Sequence, residues 1–309
     1  MPDNDVMRAE VATGLSRPQK ELLPKYFYDE RGSRLFAEIT RQPEYYPTRA
    51  ERTLLRRFAP AWVPDVGLQA LLELGAGNAD KTRIILDAMV AHAEDPVYVP
   101  IDISGDFLHD MARRLRQEYP RLRVRPVVAD ITAEIHPPDH LPEPGAYALL
   151  GSTIGNFKAH KAMELLRHVA DALRPSDLFL AGFDLKKDRE VLEAAYNDAA
   201  GITAAFNLNI LDVLNRELGA DFDVDGFRHH AFYNEEEARI EMHLVSRRDQ
   251  TVRIPGVGAI EIRRDESIRT ELSHKYDRAA VEELFEEAGL RLDRWEVSDH
   301  GLFALATAS

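Results

Sequence analysis

The sequence contains no cysteine among its 309 residues. Disulfide bonds, thiolate nucleophiles and cysteine-ligated metal centres are therefore excluded, and a cytoplasmic location is expected. Long apolar runs are missing too. The longest are strand-sized, far short of the roughly 20 residues that span a bilayer, so no membrane association is expected. The opening "MPDNDVMRAEV" has no basic segment followed by an apolar one, and no secretory signal is expected there. Positive charge is scarce: 39 Lys and Arg stand against 53 Asp and Glu, a formal net charge of −14. A nucleic-acid partner normally demands a basic footprint, so none is expected. What remains is small-molecule chemistry. Hydrophobic residues at 45% and charged residues at 30% describe a folded globular chain, long enough for one large domain or two modest ones.

From Leu71 onward, strand-like and helix-like segments alternate: "LLEL", "KTRIILDAMVAHA", "VYVPIDIS", "FLHDMARRLRQEYP", "VRPVVADI", "AYALLGSTIGN", "HKAMELLRHVADALRP" and "DLFLAGFDL". Short apolar runs between amphipathic stretches predict a mostly parallel sheet covered by helices, an α/β fold. The C-terminal "AAVEELFEEAGLRLDRWEVSDHGLFALATAS" predicts one more helix and two strands joined around Asp299–Gly301, an antiparallel hairpin at the sheet edge. Before it, Asp188 to Gly219 predicts a helix with Val191, Leu192, Ala195, Tyr196 and Ala199 on one face. "ARIEMHLV", "TVRIPGVGAIEIRR" and "SIRTELSHKY" then alternate with period two. An antiparallel block set inside an α/β domain predicts a second, smaller lobe of mixed α+β structure. The expected division is residues 49–187 and 276–309 for the α/β domain and residues 1–48 and 188–275 for the lobe.

"LLELGAGNADKT" is the first candidate site. A phosphate-cradling loop needs Gly-x-x-x-x-Gly-Lys-[Ser/Thr], and no second glycine precedes Lys81 here. A dinucleotide fingerprint needs a glycine at position 80, where Asp80 would instead repel a pyrophosphate. S-adenosylmethionine carries a sulfonium and no phosphate, and an acid-bearing Glu73-x-Gly75-x-Gly77 turn suits it. The glycines admit the amino-acid end, and nearby carboxylates favour the cation. Asp102 closes the next strand, placed to accept the ribose hydroxyls, and Asp130 closes the third, placed to meet the adenine amine. The plainer alternative is that the glycines make tight turns and the acids cap helices; two acids in register weigh against it.

Further segments carry a resemblance. "PKYFYDERGSRLFAEITRQPEYYPTRAE", "GSTIGNF", "YNDAAGITAAFNLNIL" and "RTELSHKY" resemble the histidine-specific Nα-methyltransferases of ergothioneine biosynthesis, in order and spacing from about Leu22 to the C-terminus. The resemblance implies a class I S-adenosylmethionine-dependent methyltransferase domain, Rossmann-like, with a substrate-binding lobe. It also implies trimethylation of the α-amino group of L-histidine to hercynine. It assigns cofactor contacts to Gly75, Lys81, Asp102, Ala129 and Asp130, and substrate contacts to Tyr45, Asn156, Tyr196, Glu271 and Ser273, with Tyr28 lining the active site. Two departures stand out: Ala129 where the family usually has glycine, and Asn78 where a small hydroxyl residue is common. A backbone contact at Ala129 survives if its φ is negative.

Residue chemistry can be read beside this. On a strand, Glu271 and Ser273 share a face and would pair the two nitrogens of an imidazole, with Met242 packed against the ring. From spacing alone a solvated strand face is the simpler reading; the resemblance reverses that. Asn156, after the fourth strand, would hold the α-amino group while Tyr45 and Tyr196 orient the amino-acid end. Their plain alternatives are a turn residue, a loop anchor and core packing. Lys81, expected in the first turn of a helix, would meet the carboxylate of S-adenosylmethionine. The 11 histidines are scattered, without metal-ligand spacing, so no metal is expected. A monomer is expected. Alternative readings are a methyltransferase of another amino acid or of a thiolated histidine, and a non-catalytic sensor of S-adenosylmethionine or an amino acid.

Overall fold

The computed structural model describes residues 4–103, 105–131, 133–134 and 136–309. In chain order the elements begin with helix α1 (Asn4–Leu15), strand β1 (Lys20–Glu21), α2 (Glu30–Ile39), α3 (Pro47–Val66), β2 (Ala70–Leu74), α4 (Arg83–His92) and β3 (Val97–Asp102). There follow α5 (Gly105–Glu118), β4 (Arg123–Val124), β5 (Val127–Val128), β6 (Gly145–Leu149), α6 (Ala159–Ala172) and β7 (Leu178–Asp184). Next come α7 (Arg189–Tyr196), α8 (Ile202–Leu218), β8 (Phe227–Asn234), β9 (Arg239–Ser246), β10 (Gln250–Ile254) and β11 (Gly258–Ile262). The chain ends with β12 (Ser267–His274), α9 (Arg278–Ala288), β13 (Leu292–Val297) and β14 (Phe303–Ala308). Two compact units result: residues 47–186 with 275–309, and the residues up to Tyr46 with 187–274.

The larger unit is built on one sheet of order β13-β14-β7-β6-β2-β3-β4, with β5 also paired to β3. Strands β2 to β7 run parallel, β14 is antiparallel to β7, and β13 is antiparallel to β14. Strands β2 and β6 are buried at every residue because helices cover both faces, which is why their sequences, Glu73 apart, are continuous apolar runs. Helices α3, α4 and α5 pack Trp62, Leu86 and Leu115 onto one face; α6 and α9 pack Leu166 and Phe285 onto the other. Each such side chain contributes roughly 1.5–3 kcal/mol by leaving water. This is the class I, Rossmann-like arrangement with its C-terminal antiparallel hairpin. The carboxyl ends of its parallel strands lie at one end of the sheet, where ligands of open α/β sheets bind.

The smaller unit carries a four-stranded sheet, β1-β12-β9-β8, and a separate β10–β11 hairpin. Three details of this unit go beyond the sequence pattern. The stretch from Asp188 to Gly219 is two helices, not one, because the Asp198 carboxylate accepts the amides of Ile202 and Thr203 at 2.8 and 2.7 Å and restarts the helix after Gly201. Val191 and Ala199 are exposed, while Leu192, Ala195 and Tyr196 are buried. Strand β9 is buried at all but its first residue, so its period-two pattern does not mark a wet face. Its polar Glu241 and His243 are covered because Arg239, Arg269 and Ser267 pair with them. Third, β12 is not a regular strand: its pairing to β9 skips at Thr270, a one-residue bulge between Arg269 and Glu271.

In the larger unit, Lys275 and Asp184 form a fully buried ion pair at 2.7 Å. Removing the cation alone takes its ammonium from a buried carboxylate. Lys275→Met is expected to lower unfolding free energy by about 3–5 kcal/mol, with Asp184→Leu added on top recovering most of it. Urea denaturation of the single and double variants checks this.

Candidate active site

In the larger unit, the chain leaves β2 through Gly75 (φ +73°) and Gly77 (φ +50°), left-handed conformations that glycine adopts without strain. Gly75 and Ala76 donate their amides to the Ile101 carbonyl at 2.9 and 3.2 Å, and Gly77 donates to the Asp102 carboxylate at 3.1 Å. The loop is therefore hung on the end of β3. Among the described residues nothing beyond the chain neighbours lies within 4 Å of where a Gly77 side chain would begin. Asn78 accepts the Asp80 amide at 3.1 Å and donates to its carboxylate at 2.7 Å, a local turn that the usual small hydroxyl residue would also close.

Glu73 behaves differently from the expectation that its charge favours a bound cation. Its carboxylate is buried, accepts from Thr82 Oγ1 at 2.7 Å and from the Tyr98 hydroxyl, and anchors the turn from inside. Burial pushes its pKa up to about 7, against the opposing pull of those two hydroxyls.

Asp102 ends β3 half-buried, whereas Asp130 stands exposed two residues beyond β5. The predicted strand "VRPVVADI" is broken at Arg125–Pro126 into β4 and β5, since proline cannot donate to the ladder. Ala129 donates its amide to the Asp102 carbonyl at 3.1 Å, coupling the two acidic strand ends. Ala129 is absent from the left-handed region, so alanine replaces glycine there without strain.

Lys81 precedes the α4 N-cap, Thr82, rather than lying in the first turn. Its ammonium pairs with Glu51, a carboxylate with 0% exposure. Glu51 also accepts the Gly151 amide at 2.6 Å. That bond holds Gly151 (φ +80°) and Ser152 (φ +56°) in successive left-handed conformations, and Ser152 Oγ accepts the Asp184 amide at 2.9 Å. The short turn Thr153–Asn156 follows and presents a half-buried Asn156. Sequence reading did not single out Glu51. Its signal was present: it occupies a position on the apolar stripe it shares with Leu54, Leu55, Phe58 and Trp62.

A glycine backbone after β2, a carboxylate at the end of β3 and another after β5 stand in a row along adjacent strand ends. This set of donors and acceptors fits S-adenosylmethionine, whose hydroxyls and adenine amine need acceptors and whose amino-acid end needs close backbone approach.

In the smaller unit, Tyr196 at the end of α7 donates its hydroxyl to Ser273 Oγ at 2.8 Å. Met242 lies directly opposite Glu271 in the β9–β12 register, and Ile240 opposite Ser273, so Glu271, Ser273 and Met242 share one sheet face. Tyr45 meets Tyr196 edge-to-face at 6.3 Å, and the ring series continues through Phe36 (6.4 Å) to Tyr28 (5.8 Å). Phe36 and Phe206, which link these rings, were not singled out from sequence; aromatic spacing in α2 and α8 alone reads as core.

Residues 7–309 match the family described as histidine-specific methyltransferase, SAM-dependent. The chain belongs to the histidine-specific methyltransferase family. It is 41% identical over 305 residues to a histidine N-alpha-methyltransferase of Mycolicibacterium smegmatis, covering 98% of this chain and 95% of that one. It is 30% identical to ergothioneine biosynthesis protein 1 of Neurospora crassa, covering 97% of this chain and 35% of that one. Among solved structures, an S-adenosylmethionine-dependent methyltransferase from Clostridium acetobutylicum aligns with TM-score 0.51 at 13% identity, over 89% of this chain and 97% of that one, a likeness of fold.

The raised Glu73 pKa gives this methyltransferase a testable pH dependence. The folded state holds the proton that the unfolded chain releases, so stability is lost as pH rises toward about 7. Glu73→Gln, which cannot ionise, is expected to gain roughly 2–3 kcal/mol on wild type between about pH 5 and about pH 8. Urea unfolding at the two pH values is the measurement; a constant difference would refute it.

Proposed function

We propose that this methyltransferase moves methyl groups from S-adenosylmethionine to the α-amino group of L-histidine, three times, giving hercynine for ergothioneine biosynthesis. The observation that carries the acceptor reading is the joined set of Glu271, Ser273, Tyr196 and Met242 in the smaller unit. An imidazole offers one N–H and one lone pair. Glu271 would accept the former. Ser273, its oxygen already accepting from Tyr196, would donate its own hydrogen to the latter. Met242, 1% exposed, would give the ring an apolar wall. Apolar side chains would be disfavoured, because they offer neither a donor to Glu271 nor an acceptor to Ser273.

Gly75, Lys81, Asp102, Ala129 and Asp130 would hold the methyl donor in the larger unit, with Glu51 keeping the Lys81 ammonium in place. S-adenosylmethionine, when bound, supplies an electrophilic methyl group on a sulfonium sulfur. Asn156 would accept an N–H of the α-amino group and aim its lone pair. An α-amine with pKa near ~8 loses its proton readily near neutral pH, so no strong base is required. Rate would come mainly from position and orientation. Tyr28, Tyr45 and Tyr196 offer aromatic faces that attract an ammonium as it gains methyl groups. We take the enzyme to act as a cytoplasmic monomer on a free amino acid, without nucleic acid, membrane or metal. No helix among the described residues is long and apolar enough to cross a membrane.

Mass spectrometry of L-histidine incubated with the protein and S-adenosylmethionine is the test, with other amino acids and thiolated histidine in parallel. Three added methyl groups on histidine are expected. Glu271→Ala is expected to lower kcat/KM for histidine by about 100-fold or more. Cofactor binding without methylation of any acceptor would instead indicate a sensor.

A further inference from the structure

Beneath the Glu271 face lies a polar network that the reaction does not consume. Asn207 of α8 is 0% exposed, and each polar atom of its side chain is engaged. Its Nδ2 donates to the His243 carbonyl at 3.1 Å and to His229 Nδ1 at 2.9 Å; its Oδ1 accepts from Thr270 Oγ1 at 2.6 Å. A carbonyl only accepts, so the amide can sit only this way round. His229 Nδ1 therefore presents its lone pair, and Nε2 carries the proton, 2.8 Å from the Tyr196 carbonyl. Burial disfavours a second proton on this ring, as does neighbouring His230, while the Tyr196 carbonyl and Asp198 favour it. A doubly protonated ring would turn an N–H against the Asn207 N–H, which the network cannot satisfy.

The two ends of this network are the two ends of the proposed imidazole site. Thr270 is the extra residue of the β12 bulge, immediately before Glu271. Tyr196 carries the hydroxyl bonded to Ser273. The bulge also decides direction. Arg269 pairs opposite His243, on the face where it meets Glu21 and Glu241. Regular alternation would send Glu271 to that same face; the extra residue moves it to the other, beside Met242.

We propose that Asn207 and His229 are positioning residues for specificity. They hold the Thr270 bulge and the last turn of α7 at one spacing, and so set Glu271 against the Tyr196–Ser273 pair. This rests on the reading that Glu271 and Ser273 grip the imidazole.

Thr270→Val removes the hydroxyl at nearly constant volume. It is expected to raise KM for L-histidine about tenfold, with kcat and KM for S-adenosylmethionine within about threefold of wild type. Thr270→Ser should restore the histidine KM. In the Glu271→Ala background, Thr270→Val should cost little more, because its effect passes through Glu271. An unchanged histidine KM, or a penalty that adds in full to that of Glu271→Ala, overturns the proposal. If Glu271→Ala itself leaves the histidine KM unchanged, the imidazole reading falls first and this proposal with it. Nitrogen-15 spectra of the wild-type protein give a second test that needs no variant. His229 should show the Nε2–H tautomer from about pH 6 to about pH 8 and shift when unlabelled L-histidine is added. A protonated ring, or shifts indifferent to histidine, would overturn it.

Discussion

An acid taken out of water has to be answered from within the fold, and in the larger unit that demand falls at the strand ends. Helices on both faces of the sheet leave no wet side along the strands, so polar chemistry concentrates where the strands stop. Glu73 stands one residue before β2 ends and is met by Thr82 and Tyr98. Asp184 ends β7 and is met by Lys275. Glu51 reaches the loop after β6 and is met by Lys81 and the Gly151 amide. Each answer ties a loop that carries candidate site residues to an element that cannot move without stranding a buried acid. The left-handed Ser152 shows what such ties hold in place: a non-glycine residue there costs about 1 kcal/mol or more, and it persists beside Glu51–Gly151 on one side and Asp184 on the other.

The smaller unit solves a different problem. Its sheet has to send one set of polar side chains toward the helices and another toward the opposite face, from strands whose alternation is fixed. The opposite face gathers Glu21, Arg239, Glu241, His243 and Arg269 into ion pairs, with the Glu241 carboxyl held near a pKa of about 2: burial raises it, but hydrogen bonds from Arg239, His243 and Asn234 outweigh that. The helix face takes His229, Met242, Glu271 and Ser273. One extra residue in β12 lets both sets coexist. A buried amide, Asn207, then prevents the bulge from relaxing, since any slip would strand its donors and acceptor.

This explains which parts were legible in the sequence. The parallel sheet, its order of segments and the terminal hairpin follow from apolar runs whose cause is burial on both faces, and "DLFLAGFDL" or "AYALL" cannot be read otherwise. Gly75 and Gly77 were legible because only glycine accepts those φ values freely. The split between α7 and α8 was not, because Asp198 continues a plausible helical period while its carboxylate restarts the helix. Glu51 escaped because an acid on an apolar stripe reads as an error until its partners, 30 and 100 residues away, are known. The bulge escaped for the opposite reason: "SIRTELSHKY" alternates acceptably in more than one register, and register is a property of the pairing.

The departures from the family pattern fall where side-chain identity matters least. At Ala129 the group in use is the backbone amide, already bonded to the Asp102 carbonyl, so any residue with ordinary φ serves. At Asn78 the requirement is a side-chain oxygen that accepts the Asp80 amide, and an amide meets it as well as a hydroxyl. Glu271 and Ser273 allow no such exchange. In the site proposed for the imidazole, one would accept and the other donate, at a spacing set by Thr270 and Tyr196. The proposed acceptor site would keep its selectivity only as long as the bulge, the amide beneath it and the two side chains above it are kept together.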